Sequence, residues 1–108
     1  ARATLVPAHA DTARDAAEAL VRDDPHNAAL RMLAGHAARL AGDPEGAARH
    51  WSAAEDLAPR DPAPSTALAL LAFEQGDDEA ARAALDRAIG RDPTDPLVID
   101  AQRRIDGR

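Results

Sequence analysis

The sequence repeats itself at a fixed interval of 34 residues. The stretch GDPEGAARHW begins at Gly42 and returns in similar form as GDDEAARAAL, which begins at Gly76. The same step relates five pairs of positions: Gly42 and Gly76, Asp43 and Asp77, Ala47 and Ala81, Trp51 and Leu85, and Ala54 and Ala88. A fixed period of this kind predicts an architecture of stacked repeats, in which each repeat buries its apolar face against the next.

The residues between the repeated turns favour helices. Alanine, which has the highest helix propensity, is abundant, and the chain has one Phe, one Trp and no Tyr. Prolines at 34-residue intervals are each followed two residues later by a side chain suited to cap a helix; the three pairs are Pro25 and Asn27, Pro59 and Asp61, and Pro93 and Asp95. Gly42 and Gly76 can take the left-handed conformation that ends a helix, and an aspartate follows each of them. We therefore predict six helices, at residues 9–22, 28–41, 44–57, 62–75, 78–90 and 96–106.

The short predicted loops make consecutive helices antiparallel neighbours. Each helix is amphipathic, and one hairpin cannot cover its own apolar stripe, so hairpins must stack. The expected fold class is all-α, a right-handed α-α superhelix of about six antiparallel helices. We expect one domain over residues 1–108, and its predicted parts are a partial repeat at 8–25, full repeats at 26–59 and 60–93, and a C-terminal capping helix at 94–108.

The 34-residue helix–turn–helix resembles the tetratricopeptide repeat (TPR) family, whose pattern is W-x2-L-G-x2-Y…A-x3-F…P. The matching positions are Gly35, Ala47, Trp51 and Pro59 in the first full copy, and Leu68, Ala81, Leu85 and Pro93 in the second. Gly35 and Ala47 are small where two helices would approach closely, and Trp51 would fill the space beside them. The chain departs from the pattern on the first helix of each repeat. The first full copy has Arg31, Ala34 and Ala38 where Trp, Leu and Tyr are expected. The second has Ser65 in place of Trp, Ala69 in place of Gly and Ala72 in place of Tyr. The resemblance covers about residues 8–95 and makes 9–22 the second helix of a repeat.

The resemblance implies a binding groove. TPR-like solenoids bind peptides or protein segments on their concave face, which the first helix of each pair lines. The residues that would line it here are Met32, His36, Arg39, Thr66, Leu70, Phe73 and Arg104. Met32 and Phe73 would be apolar anchors, or they pack inside their hairpins instead, and the arginines would pair with acidic ligand groups. Some members of the family hold a C-terminal carboxylate with Lys, Arg and Asn, which we do not expect in a chain without lysine.

The charge balance excludes several classes of partner. Thirteen arginines against nineteen acidic residues give a net charge of −6, which disfavours nucleic acid and anionic membrane surfaces. The chain start lacks an initiator Met and an apolar signal segment, which favours a domain cut from a longer protein. The alanine, arginine and aspartate bias suggests a bacterial, GC-rich source. We expect a soluble protein, cytoplasmic rather than periplasmic.

The sequence offers no catalytic or metal-binding pattern. It has no cysteine, and no two of its histidines, His9, His26, His36 and His50, are three or four residues apart, so no metal site is expected. His50 should face solvent or a neighbouring helix. No serine lies in a G-x-S-x-G context, and no glycine-rich phosphate loop is present. We expect no enzymatic activity and no cofactor.

The sequence predicts two alternative functions. The first is a scaffold for protein–protein interaction that binds a segment of a partner protein in its groove. The alternative is a module that self-associates into a homo-oligomer, or that regulates an enzyme domain within a larger parent protein. The alternative arises because the first predicted helix lacks a partner and would expose an apolar side.

Overall fold

The computed structural model describes residues 9–107, in which all regular structure is helical. The helices are α1 (Ala10–Asp23), α2 (Ala28–Leu40), α3 (Pro44–Leu57), α4 (Ala63–Glu74), α5 (Asp78–Arg91) and α6 (Pro96–Asp106). Every predicted bound is confirmed to within one residue, and so is the all-α fold class. The outer ends of the predicted repeats, at residues 8 and 108, lie outside the described residues.

Polar side chains begin most of these helices, as the sequence predicts. The Asn27 carboxamide oxygen accepts a hydrogen bond from the Leu30 amide at 3.1 Å, and the Asp95 carboxylate accepts from Leu97 and Val98. Asp43 and Asp77 accept from the amides three residues later, at 2.9 and 3.1 Å. Asp61 accepts from the Ala63 amide at 2.9 Å, one residue before the position that caps α4. Each bond satisfies an amide that the first helical turn leaves without a partner.

The two Gly-Asp turns have the same geometry. Gly42 and Gly76 adopt φ angles of 80° and 76°, so the predicted left-handed conformation is confirmed at both. The amide of the following aspartate then donates to a carbonyl five residues back, Asp43 to Ala38 and Asp77 to Ala72, at 2.9 Å in each case. This pattern ends one helix and positions the cap of the next within three residues.

The helices form two compact units, one ending at Leu57 and the other starting at Ala58. In the first unit, α1 packs on α2 and α2 packs on α3. In the second unit, α4, α5 and α6 pack on one another. The core of each unit is built largely from alanines. The first centres on Ala17, Val21, Ala34 and Ala37, and the second on Ala69, Ala84, Leu85 and Ala101.

The pairing of a small residue with a large one is confirmed at Gly35 and Trp51. Trp51 is 2% exposed, and a Cβ at Gly35 would lie 2.7 Å from its Cε2 atom and closer still to Nε1 and Cδ1. Only glycine therefore lets α2 approach α3 this closely. Of the remaining positions that match the repeat pattern, Ala47, Ala81 and Leu85 are fully buried, Leu68 is partly buried against the second core, and Pro59 and Pro93 lie exposed between helices.

Candidate functional site

Three of the predicted groove residues share one face of α2. Met32, His36 and Arg39 are four and three residues apart, which places their side chains in one row. His36 and Arg39 are exposed, and Met32 is half-buried. We call these three residues the α2 patch.

The buried Trp51 of α3 packs against two residues of this patch. The His36 ring meets the indole edge-to-face, with centroids 5.1 Å apart and planes at 65°. The indole Nε1 also donates a hydrogen bond to the Met32 carbonyl at 3.3 Å. Edge-to-face aromatic pairs stabilise a fixed ring orientation. The His36 side chain is therefore exposed but has a packed partner that orients it.

The patch combines three kinds of chemistry. The pKa of His36 is lowered, first by its burial against the protein and second by the nearby Arg39 charge. The imidazole is therefore neutral at neutral pH and can both donate and accept a hydrogen bond. Arg39 supplies a planar cation that suits carboxylates, and Met32 supplies a polarizable apolar surface. A segment carrying an acidic side chain beside an apolar one matches this combination.

The predicted site residues of the second unit are in less open positions. Leu70 packs against the core around Leu85, and Phe73 is half-buried. Thr66 is 5% exposed, and its hydroxyl donates to the Pro62 carbonyl at 2.8 Å. The expectation that Thr66 faces a ligand is therefore wrong. Its buried hydroxyl already donates its hydrogen bond to a carbonyl at the start of α4. Arg104 is exposed, and its Nε lies 3.4 Å from Asp100.

The structure also shows a polar cluster around the buried His50 that the sequence did not predict. His50 is 6% exposed, with Nε2 2.7 Å from the Glu18 carboxylate and Nδ1 3.3 Å from the Arg31 guanidinium. A guanidinium can only donate, so Nδ1 accepts and the Nε2 proton is donated to Glu18. Both ring nitrogens are therefore engaged, and the cluster joins α1, α2 and α3 rather than offering a free base. Of the two orientations expected for His50, the structure shows the one towards neighbouring helices.

The described residues hold no cluster of three or more His, Asp or Glu side chains that could bind a metal ion. Between residues 9 and 107, no helix combines the length and the apolarity needed to cross a membrane.

Two family models match the chain, and both are described as tetratricopeptide repeat. One matches residues 38–105 and the other residues 8–62, so each spans more than half of the 108 residues. No curated protein matches the chain.

Proposed function

The chain belongs to the tetratricopeptide repeat family, whose repeats are in general protein-interaction modules, and we propose that it binds a partner segment through the α2 patch. The proposed ligand is a stretch of another protein in which an acidic side chain stands next to a bulky apolar one. Leu70 and Phe73 on α4 and Arg104 on α6, which the resemblance also gives to the groove, stay predictions.

The observation that carries this proposal is the support of an exposed His36 by a buried Trp51. Ordering a side chain on binding costs conformational entropy, so a side chain that is already oriented binds at a lower cost. The contact at 5.1 Å orients one of the three patch side chains, His36, before a ligand arrives, and the indole bond to the Met32 carbonyl holds Trp51 against the backbone of α2. Such preorganisation is typical of a binding surface.

The residues also fit a binding role better than a catalytic one. His50 is paired with a carboxylate, as a catalytic base often is, but Arg31 occupies its other nitrogen. His36 is open to solvent and is held by an indole rather than by a carboxylate. Neither arrangement activates a nucleophile.

A peptide array tests the proposal. We expect 15-residue peptides that place Asp or Glu beside Leu, Ile or Phe to bind the wild-type chain. Arg39→Glu and His36→Ala should each weaken binding about tenfold or more, because the charge and the oriented ring are lost. Arg49→Glu is the matched control, because Arg49 is an exposed arginine on α3 of the same unit. Equal binding by the Arg39→Glu and Arg49→Glu variants would contradict the proposal.

Phe73 is tested separately, because the family resemblance alone gives it a role. If Phe73 is an apolar anchor, Phe73→Ala should abolish capture of the same peptides while the far-UV circular dichroism spectrum keeps its helical signal. Binding that survives both Phe73→Ala and Arg39→Glu would refute a groove lined by first helices.

A further inference from the structure

The α2 patch places a titratable ring beside a permanent cation. His36 and Arg39 are three residues apart on one face of α2, and both side chains are exposed. The indole of Trp51 meets the His36 ring edge-to-face at 5.1 Å, so the imidazole keeps one orientation while solvent still reaches it. A carboxylate that binds Arg39 therefore also lies close to the His36 ring.

The groups around His36 determine how readily it takes up a proton. Burial against the protein lowers the pKa of His36 most, and the Arg39 guanidinium on the same helix lowers it further. On α3, the side chain that contacts the ring is the uncharged Trp51, and the half-buried Glu55 lies one turn further along that helix. On α1, the titratable His9 lines a depression beside the end of α2. The ring is therefore neutral at neutral pH in the unbound chain.

Another histidine of the same unit is not open to a ligand in this way. Both ring nitrogens of His50 are engaged, Nε2 with the Glu18 carboxylate at 2.7 Å and Nδ1 with the Arg31 guanidinium at 3.3 Å. Its side chain is only 6% exposed. A carboxylate that arrives from solvent can therefore contact the ring of His36 and not the ring of His50.

We infer that binding of an acidic segment at the α2 patch is coupled to proton uptake by His36, and that the segment is bound more tightly as the pH falls. The inference rests on the proposed function and deepens it, because it states how acidity regulates the same site. A ligand carboxylate offsets the Arg39 charge and accepts a hydrogen bond from the protonated ring, and both effects favour the imidazolium.

The direction of the effect follows from linkage. A ligand that favours the protonated ring raises the pKa of His36 in the complex above its value in the unbound chain. The complex then binds more protons than the separate partners, and affinity rises as the pH falls through this range. The proton favours the ligand by the same factor by which the ligand favours the proton, and such coupling is commonly about fivefold or more. The carboxylate of the ligand stays ionised above about pH 5, so it remains an effective partner throughout.

Peptide affinity measured as a function of pH tests the inference. The probe is the tightest-binding peptide of the array that contains glutamate, and its twin carries Gln in that place. We expect the affinity of the full chain for the Glu peptide to rise about fivefold between about pH 7.5 and about pH 5.5. The affinity for the Gln twin should not rise, because it brings no charge to offset the proton. In NMR spectra, the His36 ring should titrate at higher pH with the Glu peptide bound than without it.

Matched histidine variants assign the proton to His36. His36→Gln keeps an uncharged hydrogen-bonding side chain but cannot take up the proton, so its affinity for the Glu peptide should lose the rise on acidification. His26→Gln removes an exposed histidine from the turn before α2 and should keep the rise of about fivefold. Each variant loses one titratable group, so the pair separates proton uptake at the patch from a general change in net charge. Circular dichroism should show equal helicity in both variants at both pH values.

Three outcomes would overturn the inference. The first is an affinity for the Glu peptide that does not rise on acidification although Arg39→Glu weakens binding, which would leave the proposed function intact. The second is the same pH dependence in His36→Gln and His26→Gln, which would assign the proton to another group. The third is a chain that binds no peptide of the array at either pH, which would refute the proposed function and this inference with it.

Discussion

At the scale of single residues, the contact of Gly35 with Trp51 has a counterpart at the equivalent positions of the second full repeat. There Ala69 and Leu85 lie in one core cluster. Ala69 is larger than Gly35, and Leu85 is correspondingly smaller than Trp51. The repeat pattern predicted Gly35 and Trp51, because close helix approach demands a small residue. The pattern could not predict the His50 cluster. Glu18 is 32 residues before His50 in the sequence, and the residues at the position of His50 in the other two copies, Ala16 and Ala84, have no polar side chain.

The volume argument makes a direct prediction for Gly35→Ala. Its new methyl group would collide with the Trp51 indole, so we expect a loss of about 1–3 kcal/mol in the free energy of unfolding. Adding Trp51→Leu copies the pair at Ala69 and Leu85 and should restore part of the loss. Urea unfolding of the two single variants and the double variant measures this coupling. Strictly additive effects would refute it.

Trp51 is also the largest fully buried side chain of the described residues. Trp51→Ala removes it and leaves a cavity, so the free energy of unfolding should fall by about 3–5 kcal/mol. Thermal unfolding followed by circular dichroism measures the change. A melting temperature that does not move would mean that Trp51 does not support the fold.

His36 makes stability depend on pH in a defined direction. Its pKa in the folded chain is below the ordinary value of 6.5, with burial the larger cause and Arg39 the smaller. The unfolded state therefore binds more protons between the two pKa values, and the free energy of unfolding falls as pH drops below 6.5. Urea midpoints at neutral pH and pH 5 should differ less in His36→Gln than in the wild type. Equal differences would contradict this assignment.

At the scale of elements, the helix bounds could be predicted because glycine, proline and capping residues mark each end in the sequence. The face that a residue presents was harder to predict. Thr66 was expected at a surface because the resemblance places it on the first helix of a pair, but its hydroxyl bonds to Pro62 in a buried position. The α2 patch was expected from the same positions, yet its support by Trp51 depends on an aromatic contact between two helices, which periodicity does not encode.

Two glycines in the second unit should respond to alanine with opposite signs. Gly76 has a φ of 76° and an empty surrounding, so Gly76→Ala introduces backbone strain and should destabilise by about 1 kcal/mol. Gly90 lies inside α5, and an added Cβ there meets open space. Gly90→Ala should stabilise by about 0.5–1 kcal/mol. Urea unfolding compares the two, and shifts in the same direction would refute the argument.

At the scale of the whole molecule, acidity and exposed leucines act on association in opposite ways. A net charge of −6 on a chain of 11.3 kDa disfavours contact between identical copies, whereas the exposed side chains of Leu20, Leu33 and Leu40 favour it. Because the like charges of identical copies repel one another, we expect a monomer by light scattering at micromolar concentration. A dimer under these conditions would instead support the self-association function.

The single tryptophan has a consequence for optical studies. Because Trp51 lies in the first unit, intrinsic emission excited at the red edge of the indole band reports on that half of the chain alone. The His36 ring beside it becomes a quencher when it takes up a proton. The Trp51 fluorescence intensity of the folded chain should therefore fall on acidification before the helical signal is lost. An uncharged ligand that covers the His36 imidazole should move this fall to lower pH.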